Sequence, residues 1–217
     1  MLKILQKKIF INSDEIFKLL IFFFPALIVS GPFLPDLIVS IVAIYFLVLL
    51  LIRYSDIKYY FYSNFFKLFF AIYSLMIISS LLSVNTLLSL ESSLFYIRFP
   101  IFALAIWYFI NTDENFIKKF SYFFVIIYSF ILIDSFITHL TDYGIFRNQR
   151  IDDRLSGLFG IELRLGSYLT RLFPIFCFCI YRLSDSLIKL RFLSVFIFPL
   201  FFLISLLSGE RTAVFFL

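Results

Sequence analysis

The run LIVSIVAIYFLVLLLI, Leu37–Ile52, decides the fold class. It is apolar at odd and even positions alike. A half-buried strand alternates apolar and polar residues, and a transmembrane barrel strand does so over about ten residues. A helix rises about 1.5 Å per residue, so about 20 apolar residues cross the hydrocarbon of a bilayer. The run therefore reads as a membrane helix. Outward from it, similar segments recur at Ile16–Leu34, Phe65–Val84, Ser93–Ile110, Phe120–Leu140, Leu163–Tyr181 and Phe192–Leu207. An eighth begins near Thr212 and reaches only Leu217. The expectation is an all-α, polytopic integral membrane helical bundle of about seven complete transmembrane helices plus the start of an eighth. Residues 1–217 read as a single transmembrane domain, the N-terminal portion of a longer protein.

Composition points the same way. Hydrophobic residues make up 62% and charged residues 15% of the 217. A soluble domain has about 45–50% apolar and about 25% charged residues. A water-soluble enzyme and a disordered chain are both excluded. Cys177 and Cys179 are two apart inside an apolar stretch, so they read as packing residues and not as a structural bridge. The stretch Lys3–Lys18 is mixed in charge and no small-residue cleavage site follows it, so the first span is expected to be retained.

Basic residues set the orientation. With the N-terminus inside, the inner side holds Lys3, Lys7, Lys8, Lys18, Arg53, Lys58, Lys67, Lys118, Lys119, Arg182, Lys189 and Arg191, which includes every lysine. The outer side and the spans hold only arginines: Arg98, Arg147, Arg150, Arg154, Arg164, Arg171 and Arg211. The net charge of +5 is thus mainly a topology signal. No soluble basic domain is present to bind nucleic acid.

Arginine outside opposes the usual bias, so its placement needs a reason. Arg147 and Arg150 lie in the loop TDYGIFRNQRIDDRLSGLFGIE, Thr141–Glu162, among acids that can neutralise them. Arg154 is followed by Ser156, Gly157 and Gly160, which allow close backbone approach to a ligand. Arg164 and Arg171 are seven apart, close to two helical turns, with Ser167 and Tyr168 between them. Arg211 stands in the short turn SGERTA, Ser208–Ala213, which opens into the next helix, where terminal amides could join it on an anion. Arg98 lies in FYIRFP, where Pro100 can kink the helix. Two readings stay open. One is helix-to-helix ion pairs, Arg171–Asp134 or Arg98–Asp134, Asp134 being the acid well inside a span. The other is an anion pocket at the outer face, with arginine giving bidentate recognition of phosphate. No metal is expected. His139 is the one histidine, it reads as an interfacial residue, and no His/Cys/Asp cluster has ligand spacing.

The stretch RLSGLFGIELRLGSYLTRLFP, Arg154–Pro174, resembles the middle of the O-antigen ligase and O-antigen polymerase superfamily of bacterial envelope glycosyltransferases. SGERTA resembles that family's Ser-Gly-x-Arg-x-Ala turn. The two occur in the family's order, separated by one helix and an inner turn. Ile161 and Glu162 stand where many members have Pro-Asn. The resemblance implies a GT-C-like bundle in the bacterial inner (cytoplasmic) membrane, multi-pass, with a cytoplasmic N-terminus. It implies transfer or polymerisation of an undecaprenyl-pyrophosphate-linked glycan at the periplasmic face, without metal or other cofactor. The acceptor would be lipid A-core or another lipid-linked glycan. Arg154 and Arg211 carry over as pyrophosphate ligands, with Arg171, Arg164 and Arg98 as further candidates from position. The family's catalytic histidine lies on a later loop, so residues 1–217 alone are expected to be inactive. Outside that resemblance, a transporter or flippase for an anionic lipid, or a non-enzymatic membrane subunit, would also use outer arginines. A transporter would show internal repeats and a charged path inward, and neither is visible.

Overall fold

Turn residues punctuate a chain that otherwise runs as helix. The computed structural model describes residues 2–145, 155, 157–159, 164–184 and 187–210, with the side chains of 2–12 and 187–195 outside that description. The helices are α1 (Leu2–Leu27), α2 (Phe33–Ile52), α3 (Tyr54–Phe61), α4 (Asn64–Leu81) and α5 (Thr86–Phe95). They continue as α6 (Arg98–Thr112), α7 (Phe116–Thr141), α8 (Leu165–Leu183) and α9 (Leu187–Leu207). Short 3-10 turns cover Ile28–Ser30 and Gly157–Phe159. No strand occurs among the described residues.

Among those residues, four stretches are long and apolar enough to cross a membrane: Phe33–Ile52, Asn64–Leu81, Thr86–Thr112 and Phe116–Thr141. This is fewer than the seven spans expected, for identifiable reasons. The expected span Ile16–Leu34 breaks: α1 gives way to the 3-10 turn and then to Gly31 at φ 101, a conformation open to glycine, just before Pro32. Of the expected span Leu163–Tyr181, Leu165–Tyr181 is helical within α8, which carries Arg171 and, beyond the span, Arg182. Of the expected span Phe192–Leu207, the described apolar part is the shorter Phe196–Leu207. The eighth segment lies outside the described residues. The region Ser93–Ile110 is two helices, because Pro100 offers no amide to the carbonyl of Tyr96 and the chain turns there.

The chain forms two compact units: Met1–Ile21 with Phe33–Phe116, and Phe22–Pro32 with Ile117–Leu217. In the first, α2 and α6 pack side by side. Each buries a stripe at helical spacing, Ile38, Val39, Val42, Ala43, Phe46 and Leu49 on α2, and Ile101, Leu104, Ala105, Tyr108 and Phe109 on α6. They run parallel. Arg98 at the start of α6 pairs with Asp36 at the start of α2, while Arg53 just past α2 donates to Tyr108 Oη near the end of α6. Two parallel helices need a long return path, which α3, α4 and α5 supply. Ser63 caps α4 by accepting the Phe66 amide at 3.3 Å. The α4–α5 hairpin closes through paired serines, Ser80 with Ser93 and Ser83 with Ser89.

The Arg53 end of this unit is highly charged. Lys18, only 8% exposed, sits 2.8 Å from both Glu15 and Asp113. Asp14 accepts from Tyr45 Oη and lies 3.9 Å from Arg53. Lys18 is a buried cation held between two carboxylates. An ammonium in this position is tolerable only because it is paired.

In the second unit Tyr128 is central. Its ring stacks on Phe176 at 4.2 Å and its hydroxyl donates to the Leu169 carbonyl at 2.8 Å. α8 runs antiparallel to both α7 and α9, with Phe173 stacked on Phe201 at 3.9 Å. The Tyr168 hydroxyl donates to the Pro25 carbonyl at 2.9 Å, which fixes the end of α1 against α8. Lipid is as apolar as these side chains, so the shape fit of stacked rings and the buried hydrogen bonds supply the specificity here.

Candidate functional site

The second unit gathers chain breaks at one end, where α7 stops, α8 starts and α9 stops. Three sets of hydrogen bonds join them. The Leu155 amide donates to the Leu207 carbonyl at 3.3 Å. The Glu210 carboxylate accepts the Gly166 amide at 2.8 Å, the Ser167 amide at 2.9 Å and the Ser167 hydroxyl. Asp134 accepts the Ile145 amide at 2.7 Å.

Each set has a local cause. Arg164 occupies the N-cap position of α8 and makes no side-chain cap bond, so the first amides of the helix need another acceptor. Glu210 provides it from 43–44 residues away. Its charge also suits the positive end of the helix dipole. The turn that delivers Glu210 is made by Gly209, at φ 65, and by Ser208, whose hydroxyl donates to the Ser205 carbonyl at 2.7 Å.

Asp134 is fully buried. A Cβ on Gly144 would lie 3.1 Å from its Oδ1 and 3.0 Å from Thr138 Oγ1. A Cβ on Gly157, which adopts φ 53, would lie 2.9 Å from Ser135 Oγ and 3.6 Å from Asp134 Oδ2. Both glycines therefore let the connecting chain lie down on one polar face of α7. The close approach that Gly157 permits is to α7, where a ligand was expected. Asp134 Oδ2 has no hydrogen-bond partner among the described residues.

The sequence candidates fall out as follows. Arg98 belongs to the first unit, where it pairs with Asp36 at 2.7 Å and donates to Ser40 Oγ at 3.2 Å. Neither expected pair with Asp134 forms among the described residues. Arg164 and Arg171 are both exposed. Arg171 lies on the outward stripe of α8 with Phe178 and Tyr181, and no described side chain pairs with it. Tyr168 does not share that face, because burial and its bond to Pro25 turn it inward. Arg154 and Arg211 lie outside the described residues, as do Arg147, Arg150, Ser156 and Gly160. His139 is half-buried near the end of α7. No group of three or more His, Cys, Asp or Glu that could hold a metal occurs among the described residues.

Sequence reasoning missed the roles of Glu210 and Asp134. Asp134, Ser135 and Thr138 fall on one helix face at i, i+1 and i+4, which was the available signal for a loop seat. An apolar groove of about 580 Å³ adjoins this end, lined by Ala26, Val29, Ser30, Ile126, Ile127, Phe130, Ile131 and Leu158.

No family model matches the chain, and no curated protein or solved structure matches it. Its class rests on its own architecture. Long apolar helices that turn Leu51, Leu87 and Phe178 outward cannot be kept in water, and they define a helical membrane protein.

Proposed function

We propose that the protein is a bacterial inner-membrane glycosyltransferase of the O-antigen ligase or polymerase type. It would act at the periplasmic face on an undecaprenyl-pyrophosphate-linked glycan. One observation carries the reading. The two sequence segments that prompted the resemblance are hydrogen-bonded to each other through Gly166 and Ser167 to Glu210, and Leu155 in the first bonds to Leu207, the residue just before the second. Arg154 precedes Leu155 and Arg211 follows Glu210 in the chain.

In this reading α1, α8 and α9 also cross the bilayer, giving a GT-C-like bundle with the N-terminus in the cytoplasm. Arg154 and Arg211 bind the pyrophosphate, with Arg164 and Arg171 beside them. Arg98, engaged by Asp36, is left out. The acceptor hydroxyl of lipid A-core or of a second lipid-linked glycan attacks the anomeric carbon and gives its proton to a general base that residues 1–217 are not expected to supply, and the C–O bond to the pyrophosphate breaks. The arginines stabilise the charge that develops on the leaving group. The groove lined by Ile126 and Phe130 suits the prenyl chain of the donor.

The test is binding of undecaprenyl pyrophosphate to the purified protein in detergent micelles. Losing one charge-assisted guanidinium contact removes about 1.5–3 kcal/mol, so Arg211→Ala should weaken binding by about 10- to 100-fold. Wild-type affinity in Arg211→Ala and in Arg154→Ala would overturn the reading.

A further inference from the structure

We infer that α3 lies in the headgroup layer of the bilayer and that its outward face binds anionic phospholipid headgroups. α3 joins α2 to α4, two helices long and apolar enough to cross the membrane, so it stands at one bilayer face, at the Arg53 end of the first unit. The outward apolar surface runs up to it from both sides, through Leu51 near the end of α2 and through Phe65 and Leu68 at the start of α4. On α3 itself the character changes. Ile57 and Tyr60, three apart on one face, are buried, and Asn111 donates to the Tyr60 hydroxyl at 3.1 Å. These contacts fix which face α3 turns outward. There Tyr54, Tyr59 and Tyr62 are 58%, 69% and 66% exposed, and no described residue takes their hydroxyls. At a bilayer interface a tyrosine ring meets acyl chains while its hydroxyl meets headgroups, and the residue is enriched there for that reason.

The charge fits the same partner. Arg53–Lys67 holds three basic residues, Arg53, Lys58 and Lys67, and one acid, Asp56. Arg53 is engaged with Tyr108 and Asp14, and Asp56 accepts the Ser55 hydroxyl at 3.0 Å. Lys58 and Lys67 are exposed, and neither meets an acid among the described residues. Lys58 Nζ lies 5.7 Å from the centre of the Tyr54 ring, which holds the ammonium on the outward face. Two uncommitted ammonium groups beside three tyrosine rings, on a surface continuous with the lipid-facing helices, suit lipid phosphate. A helix that stood clear of the bilayer, or one kept for a soluble protein, would leave Tyr59 in water.

The experiment reconstitutes the full chain in vesicles of phosphatidylcholine with phosphatidylglycerol. Trp107 is the one tryptophan, so Tyr59→Trp in a Trp107→Phe background reports the depth of α3 by fluorescence. A nitroxide on the lipid headgroup should quench it most, and a mid-chain nitroxide or aqueous iodide little. Ile72→Trp, halfway along α4 in the same background, should be quenched by the mid-chain nitroxide instead. Strong iodide quenching of Tyr59→Trp, or quenching that matches Ile72→Trp, overturns the placement. Binding is read as the quenching of Tyr59→Trp by headgroup-labelled phosphatidylglycerol relative to phosphatidylcholine. A lysine near an anionic surface contributes about 1 kcal/mol, about fivefold, so Lys58→Gln and Lys67→Gln should each lower that preference by about fivefold. An unchanged preference in Lys58→Gln/Lys67→Gln overturns the headgroup site. If the Trp107→Phe background does not purify folded, a bimane on Tyr59→Cys in a Cys177→Ser background gives the same comparisons, Cys179 being fully buried.

Discussion

Replacing Gly157 by alanine should be among the more damaging small changes in the second unit. Two terms contribute. Gly157 sits at φ 53, and holding a residue with a Cβ in the left-handed region costs roughly 1–2 kcal/mol. The added Cβ would also fall 2.9 Å from Ser135 Oγ, closer than real contacts allow. Ser135 can retreat only by releasing the Ile131 carbonyl, which its hydroxyl holds at 2.7 Å, at about 1 kcal/mol for a buried bond. The sum is about 2–3 kcal/mol. At about 2–4 °C per kcal/mol for a chain of this length, the midpoint should fall by about 4–12 °C. The assay is thermal unfolding in detergent, followed by labelling of the fully buried Cys179 with a thiol-reactive dye in a Cys177→Ser background. Ser135→Ala removes the obstructing oxygen. The double variant Gly157→Ala/Ser135→Ala should therefore be more stable than the two single losses predict, retaining only the backbone term. A midpoint for Gly157→Ala within 1 °C of wild type, or strict additivity in the double variant, would refute the packing of this turn onto α7.

Further outcomes follow from the same physics. Asp113→Ala leaves buried Lys18 with only Glu15, whose side chain is 54% exposed, and should cost about 3 kcal/mol; Lys18→Met/Asp113→Leu should recover most of it. Trp107, packed edge-on to Tyr60 at 5.2 Å, reports this unit by fluorescence, and an Asp113→Ala transition equal to wild type would count against the buried pair. Tyr168→Phe loses the bond to the Pro25 carbonyl and should cost about 1 kcal/mol in the Cys179 assay, whereas no change would mean the end of α1 is held otherwise. Asp36→Asn should cost less than about 1 kcal/mol, since Asp36 is half exposed, and a loss of several kcal/mol would show that this pair bears more of the fold than its exposure implies. In the proposed orientation a cysteine at Tyr143 should react with a membrane-impermeant maleimide in intact cells and one at Ser184 should not; the reverse pattern would invert the topology.

The helical segments were largely legible because runs such as Leu37–Ile52 have neither alternation nor turn residues, and the structure places α2 there. The breaks were less so. Gly31–Pro32 interrupts an apolar stretch that hydropathy alone reads as continuous, and α3 is too short and too polar to register as a span. Pro100 was recognised, but its effect falls upstream, at Tyr96–Ile97, because the missing amide would have bonded to the preceding turn. At the candidate site, residue types pointed to arginine, and what the described residues add is the role of the acids. Which carboxylate meets which amide depends on a contact 43–44 residues distant in the chain, and no local pattern encodes it.

That role of the acids is the link between fold and function. In the first unit carboxylates meet cations: Asp113 and Glu15 hold Lys18, and Asp36 holds Arg98. Such pairs cancel charge and hold helices together. In the second unit Asp134 and Glu210 meet backbone amides instead, at Ile145, Gly166 and Ser167. An amide carries no net charge, so a carboxylate bound there fixes a loop by hydrogen bonding and not by pairing charges. Arg171 remains exposed on the outward stripe of α8. In the proposed orientation α8 crosses the bilayer, where an arginine is costly and must find water, a headgroup or an anion. Among the described residues, then, the acids of this unit fix chain turns to helix ends, whereas those of the first unit hold cations between helices.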